Sequence, residues 1–136
     1  MVSYAKGYNP MRWDCEKQGC FNIKRRPKIE VFSECFPGRI NFGDVDGIVE
    51  INGSALMLEW KTSIGGSLPK GQQIMYERIT KNGMLTVVLI IGNAETMLCE
   101  KYSLFFKGKQ TDWINADLEK IKCRIKQWVQ WARFPK

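Results

Sequence analysis

Residues 84–91 (MLTVVLII) constrain the fold of this chain more than any other segment. They are rich in β-branched side chains and apolar except for one threonine, which is typical of a strand buried on both faces. Such a strand needs other layers of structure on both sides, so the sequence predicts a sheet covered by helices. A chain of 136 residues with 44% apolar content can form one core of this kind. We therefore expect a single domain spanning residues 1–136.

The segments before this strand predict a hairpin followed by a helix. Residues 40–51 have an extended pattern, the Asn-Gly pair at 52–53 is typical of a hairpin turn, and residues 54–61 would form the partner strand. After a polar loop, Pro69 stands where a helix can begin, and the Asn-Gly pair at 82–83 stands where it can end. A strand, a helix and a buried strand in this order predict a crossover unit.

Further elements are predicted on both sides of this unit. Apolar residues recur at helical spacing within residues 28–36, residues 96–106 predict one strand or two short ones, and Gly108 begins a turn. A C-terminal helix is expected over about residues 112–133, because apolar residues recur there at spacings of three and four among several lysines and arginines. Its apolar stripe most simply covers the sheet, and a dimer interface or a DNA-facing surface are the alternatives. The predicted fold class is α/β (mixed α+β), with a central mixed sheet flanked by helices and a C-terminal amphipathic basic helix.

Charge and composition favour a polyanionic partner and exclude histidine chemistry. Lys and Arg number 21 against 14 Asp and Glu, and the resulting net charge of +7 favours nucleic acid as the partner. An acidic centre lies between basic flanks, because the net charge is +5 over residues 1–28, −4 over 29–100 and +6 over 101–136. The chain has no histidine, which excludes Ser-His-Asp hydrolysis, histidine general bases and His-ligated zinc from this chain. Its five cysteines include no CxxC pair, so neither a disulfide framework nor a zinc ribbon is expected.

Three charged residues are expected to meet at the open end of the hairpin. Asp46 lies about six residues before the turn and Glu59 about six after it, so antiparallel pairing brings them together. Lys61 follows Glu59 by two residues and points to the same sheet face. Mg²⁺ prefers carboxylate and carbonyl oxygens and activates water for phosphodiester hydrolysis. Asp46, Glu59 and the Trp60 carbonyl are therefore candidate metal ligands and Lys61 a candidate catalytic residue, with a turn residue and a surface ion pair as the structural alternatives.

The motif that contains these residues resembles the core signature of the PD-(D/E)XK nuclease superfamily. The resemblance is carried by Gly43-Asp44-Val45-Asp46 and, thirteen residues after Asp46, by Glu59-Trp60-Lys61. The following residues resemble its VRR-NUC branch: Lys61-Thr62, Gly65-Gly66-Ser67-Leu68-Pro69, Gln72 and Gly83. The chain departs from the branch in having no proline before the acidic residue and one extra residue between Pro69 and Gln72. The resemblance covers roughly residues 28–92 and implies a restriction-endonuclease-like core within about residues 28–107.

The resemblance assigns roles to individual residues. It implies metal binding by Asp46 and Glu59, with Mg²⁺ or Mn²⁺ as the cofactor, catalysis by Lys61, and a supporting role for Gln72. Asp44 remains the alternative to Asp46, because the two side chains alternate onto one face.

Further candidates are a first-helix glutamate and residues that would contact DNA. The resemblance implies a glutamate on the first helix, for which Glu30 ranks above Glu34 and Glu16. Tyr76, one helical turn after Gln72, would contact DNA or pack in the core. The candidate DNA-binding residues are Lys24, Arg25, Arg26, Lys28 and Tyr76.

The residues and the resemblance together predict a metal-dependent DNA endonuclease. Small VRR-NUC proteins resemble Holliday-junction resolvases, so we expect a phage-type homodimer selective for branched or duplex DNA. The alternatives are a nicking or exonucleolytic DNA-processing nuclease, a non-catalytic nucleic-acid-binding module, and an accessory subunit that binds protein through its Trp-rich end. No segment has the roughly 18 to 20 apolar residues of a membrane span, and the first ten residues lack a signal core. We expect a cytoplasmic protein without a membrane partner, in a bacterial or phage-infected cell.

Overall fold

The computed structural model describes residues 27–62 and 68–134, which belong to two units, residues 1–43 and 44–136. The described part of the first unit contains a 3₁₀ helix, Ile29–Cys35. The Phe42 ring contacts those of Phe32 and Phe36 edge to face, with centroid distances of 6.3 and 5.2 Å. A helix is therefore present where the sequence predicts one over residues 28–36, although it is wound more tightly than an α-helix.

The second unit is built on a mixed sheet. Over its described residues the strands are β1 (Gly47–Ile51), β2 (Ser54–Lys61), β3 (Leu85–Asn93), β4 (Leu98–Phe106), β5 (Lys109–Gln110) and β6 (Ile114–Asn115), and the helices are α1 (Lys70–Ile79) and α2 (Leu118–Arg133). The sheet order is β1-β2-β3-β4-β5, and β6 also pairs with β4. Every neighbouring pair is antiparallel except β2 and β3, which run parallel.

The predicted hairpin and crossover are both present. β1 and β2 pair from Gly47 opposite Leu58 to Ile51 opposite Ser54. The turn between them has positive φ at Asn52 (53°) and Gly53 (86°), as a two-residue hairpin turn of the primed type requires. α1 then connects β2 to its parallel neighbour β3, and residues 98–106 form the single strand β4.

Two apolar clusters cover the two faces of the sheet. Side chains alternate between the faces along each strand, so neighbouring residues of β3 enter different clusters. The cluster on the α1 side contains Met57, Leu68, Tyr76, Val87, Leu89 and Phe105. The cluster on the α2 side contains Leu56, Val88, Ile90, Tyr102, Leu104, Ala116, Ile121, Trp128 and Ala132. The prediction of a strand buried between helical layers is therefore confirmed.

The C-terminal helix begins later than the sequence predicts. Ile114 and Asn115 pair with β4 as β6, and α2 begins only after Asp117. Oδ1 of Asp117 accepts a hydrogen bond from the Lys120 backbone N–H at 2.9 Å, which is the interaction of an N-cap residue. The expected start near residue 112 is thus wrong, because Ile114 continues the apolar spacing but is held by strand pairing. Neither α2 nor any other helix within the described ranges is long and apolar enough to cross a membrane.

Candidate active site

The open end of the β1–β2 hairpin holds Asp46 against β2. The described pairing of these strands ends at Gly47 opposite Leu58, so it does not reach Trp60. Asp46 Oδ2 accepts a hydrogen bond from the Trp60 backbone N–H at 2.6 Å. In a strand, the N–H and C=O of one residue point toward the same neighbour, so the Trp60 carbonyl also faces the side where β1 has ended.

Glu59 is a buried carboxylate beside Asp46, with 8% of its surface exposed. Desolvation raises its pKa above the usual value, and repulsion from Asp46 and, more weakly, from Asp44 raises it further. The Lys61 ammonium and a hydrogen bond from Tyr76 act in the opposite direction without cancelling the rise in the Glu59 pKa. When Asp46 and Glu59 are both ionised, the positive charge of Lys61 is therefore not enough to balance them.

The donor set fits a hard divalent cation bound with few protein ligands. A cation between Asp46 and Glu59 would offset both the repulsion between the carboxylates and the desolvation of their charge. Residues 27–62 and 68–134 contain no group of three or more acidic or cysteine side chains that could hold a metal. A cation here would therefore use the two carboxylates, the Trp60 carbonyl and water, and Mg²⁺ is bound by one or two carboxylates with retained waters in many enzymes.

Lys61 lies on the same face of β2 as Glu59 and is held by α1. Its Nζ donates a hydrogen bond to Oε1 of Gln72 at 2.9 Å, and both side chains are half-buried. This bond fixes the position of the ammonium while leaving donors free to reach another group, since an ammonium has three. The structure thus brings together four of the predicted catalytic side chains, Asp46, Glu59, Lys61 and Gln72.

Tyr76 takes a different position from the one expected of a DNA contact. It is 1% exposed, and its ring packs on that of Phe105 with a centroid distance of 5.2 Å. Its hydroxyl interacts with Glu59, and burial together with the Glu59 charge raises the Tyr76 pKa to about 12. The hydroxyl therefore remains protonated at neutral pH and donates to Glu59. The burial corresponds to the core-packing alternative and does not support a DNA contact.

The opposite face of β2 anchors the site through Trp60. The Trp60 Nε1–H donates to the Gly92 carbonyl oxygen at 3.0 Å, next to the place where the register of β3 and β4 shifts. A Cβ at Gly92 would collide with the Leu98 carbonyl and press on the Trp60 ring. The sequence did not predict this contact. It fixes the backbone between Glu59 and Lys61 from the sheet face opposite their side chains.

The remaining predicted residues all belong to the first unit. Glu30, Glu34 and Lys28 belong to the first unit, where all three are exposed. Glu16, Lys24, Arg25 and Arg26 lie outside the described residues. The choice among the glutamates and the phosphate-contacting role of the basic run therefore stay predictions.

Two neighbouring carboxylates, a backbone carbonyl and an oriented ammonium form a set suited to binding a cation and stabilising a negatively charged transition state. The arrangement requires neither a histidine nor a cysteine. No protein-family model, curated protein or solved structure matches this chain.

Proposed function

We propose that this protein is a metal-dependent DNA nuclease. It would hydrolyse phosphodiester bonds in an active site formed by Asp46, Glu59, Lys61 and Gln72. The observation that carries the proposal is the position of Asp46 and the buried Glu59 beside a lysine that Gln72 holds at 2.9 Å. A surface ion pair would not need a buried carboxylate with a raised pKa. Perturbed carboxylates beside an oriented cation are instead typical of active sites.

Each residue would have a distinct part in the reaction. Asp46, Glu59 and the Trp60 carbonyl would hold Mg²⁺ or Mn²⁺, which when bound neutralises phosphate charge and acidifies a water. Lys61 would donate from Nζ to a phosphate oxygen, where negative charge increases in the transition state. Gln72 would keep that ammonium in place, and the Tyr76 hydroxyl would fix one oxygen of Glu59.

The fold and the charge support the same proposal. A hairpin that carries the acidic residues, a crossover helix and a buried parallel strand are consistent with a restriction-endonuclease-like core of the PD-(D/E)XK type. The net charge of +7 favours a polyanionic substrate. We extend the proposal, on the resemblance alone, to a phage-type homodimer that cuts Holliday-junction or other branched DNA in the cytoplasm of a bacterial or phage-infected cell.

The substrate is tested with end-labelled four-way junction, flap, single-stranded and linear duplex DNA, each incubated with Mg²⁺, Mn²⁺ or EDTA. Paired symmetric cuts in the junction, absent in EDTA, are the expected result. Cuts confined to one strand would favour the nicking alternative over a junction-cutting nuclease, and cuts confined to DNA ends would favour the exonucleolytic alternative. Binding that weakens steeply with salt, without cleavage of any substrate, would contradict the nuclease and favour a non-catalytic nucleic-acid-binding module.

A further inference from the structure

A row of hydrogen-bond donors crosses the sheet at the level of Lys61. Lys61 of β2 pairs with Ile91 of β3, and Ile91 pairs with Lys101 of β4. Lys101 pairs in turn with Asn115 of β6. Paired residues of neighbouring strands project from the same face of a sheet, so Lys101 and Asn115 lie on the face that carries Lys61 and Glu59. Because neighbouring strands are about 4.8 Å apart, the backbone of Lys101 lies about 10 Å from that of Lys61, and Asn115 about 14 Å.

The Lys101 ammonium is held over an aromatic ring. Its Nζ lies 5.4 Å from the centre of the Trp113 ring, which is within the range of a cation–π contact. Trp113 itself packs against the α1-side cluster, so the position of its ring is fixed by the core. The contact thus orients the ammonium without using its three N–H donors in hydrogen bonds to oxygen.

These donors are available to an anion. Within residues 27–62 and 68–134, no carboxylate forms an ion pair with Lys101. The neighbouring acidic residue of β4, Glu100, projects from the opposite face because side chains alternate along a strand. Lys101 is half-buried and Asn115 is exposed, so a large ligand can reach the outer end of the row.

The length and charge of the row suit a polyanion with repeated charges. Residues 101–136, which contain Lys101 and Asn115, carry a net charge of +6. A strand of duplex DNA has one phosphate for each rise of about 3.4 Å, so a row about 14 Å long spans several nucleotides. Donors at both ends of the row could therefore contact phosphates of one strand.

We propose that Lys101 and Asn115 bind the backbone of the DNA strand whose phosphate is cut beside Lys61, an inference that rests on the proposed nuclease function. Lys101 donates to a phosphate oxygen a few nucleotides from the cut, and Trp113 keeps its ammonium in place. Asn115 donates to the same strand farther along. The DNA strand thus crosses the sheet from β2 toward β6. Contacts of this kind position DNA without reading its sequence, so they contribute affinity and no sequence preference.

The test is fluorescence anisotropy of labelled duplex DNA titrated with the full chain in EDTA, which suppresses metal-dependent cleavage. Lys101→Met removes the charge and keeps an unbranched apolar side chain. It should weaken DNA binding about threefold or more and reduce the slope of log affinity against log salt by about 1. Lys101→Arg keeps the charge over the Trp113 ring and should bind within about twofold of wild type. With saturating DNA in Mg²⁺, Lys101→Met should cut at about the wild-type single-turnover rate, since Lys101 does not contact the cut phosphate.

Lys109→Met is the matched control. Lys109 is an exposed lysine of β5 that pairs with Phe106, and the Phe106 ring contacts Trp131 of α2, so Lys109 lies on the opposite face of the sheet. This variant should bind DNA within about twofold of wild type. Wild-type affinity in Lys101→Met, or an equal loss in both variants, would overturn the inference and leave the proposed nuclease standing. Absence of DNA binding by the wild type in both EDTA and Mg²⁺ would instead overturn the proposed function, and the inference with it.

Discussion

Asp46 Oδ2 accepts the hydrogen bond of the Trp60 backbone N–H at 2.6 Å, in the position that a further residue of β1 would otherwise occupy. The carboxylate therefore has a structural partner on β2 and, through its charge, an electrostatic partner in Glu59. These two roles depend on different properties of one side chain, because an amide oxygen can replace the acceptor but not the charge. A substitution can consequently separate them.

Asp46→Asn should lower Mn²⁺ affinity by at least about tenfold while leaving the fold intact. The asparagine oxygen can still accept from Trp60, so little change in melting temperature is expected. Calorimetric titration with Mn²⁺ measures the affinity. Asp44→Asn is the control, since Asp44 acts only weakly on Glu59. Loss of Mn²⁺ binding in this variant alone would show that Asp44, rather than Asp46, binds the metal.

Glu59→Gln should stabilise the metal-free protein near pH 8. The folded state raises the Glu59 pKa above its usual 4.5, so the contribution of this group to stability is fully present below that value and is lost as pH rises through the folded-state pKa. The amide cannot ionise, and therefore the gain over wild type should vanish in acid. Urea unfolding in EDTA across this pH range measures the difference. A variant less stable than wild type near pH 8, or a difference independent of pH, would contradict the assigned electrostatics.

Gly92→Ala should reduce the free energy of unfolding by about 1–3 kcal/mol, because overpacking forces the backbone or its neighbours to move. The added methyl would meet the Leu98 carbonyl, the Cys99 backbone and the Trp60 ring. Gly71→Ala in α1 is the control, since a Cβ there meets nothing within 4 Å, and it should stabilise by about 0.5–1 kcal/mol. Equal urea midpoints for the two variants would show that the Trp60–Gly92 contact does not constrain this end of the sheet.

Much of the fold follows from local sequence signals. The Asn52-Gly53 turn determines the hairpin register, and that register in turn brings Asp46 beside Glu59. The alternation of β2 puts Glu59 and Lys61 on one face, and the crossover helix covers that face. These relationships are predictable because each depends on residues close in sequence or on the period of a strand.

Other features depend on contacts between distant segments. Tyr76 shares a helix face with Gln72, as expected, but only the distance between α1 and β2 decides that its hydroxyl reaches Glu59 rather than solvent. Ile114 has helical spacing, yet pairing with Tyr102 makes it part of a strand. The indole of Trp60 meets the carbonyl of Gly92, 32 residues away, and no local pattern reports such a contact.

The most direct test of the proposed function is cleavage of labelled DNA under single-turnover conditions by wild type, Lys61→Ala and Lys70→Ala. Lys70 is an exposed residue at the start of α1 and controls for the loss of one positive charge. In Mg²⁺ or Mn²⁺, we expect Lys61→Ala to cut at least about a hundredfold more slowly than wild type and to bind DNA nearly as well as wild type. Lys70→Ala should cut at the wild-type rate. In EDTA, none should cut. Cleavage by Lys61→Ala at the wild-type rate, or cleavage that persists in EDTA, would contradict a metal-dependent nuclease at this site.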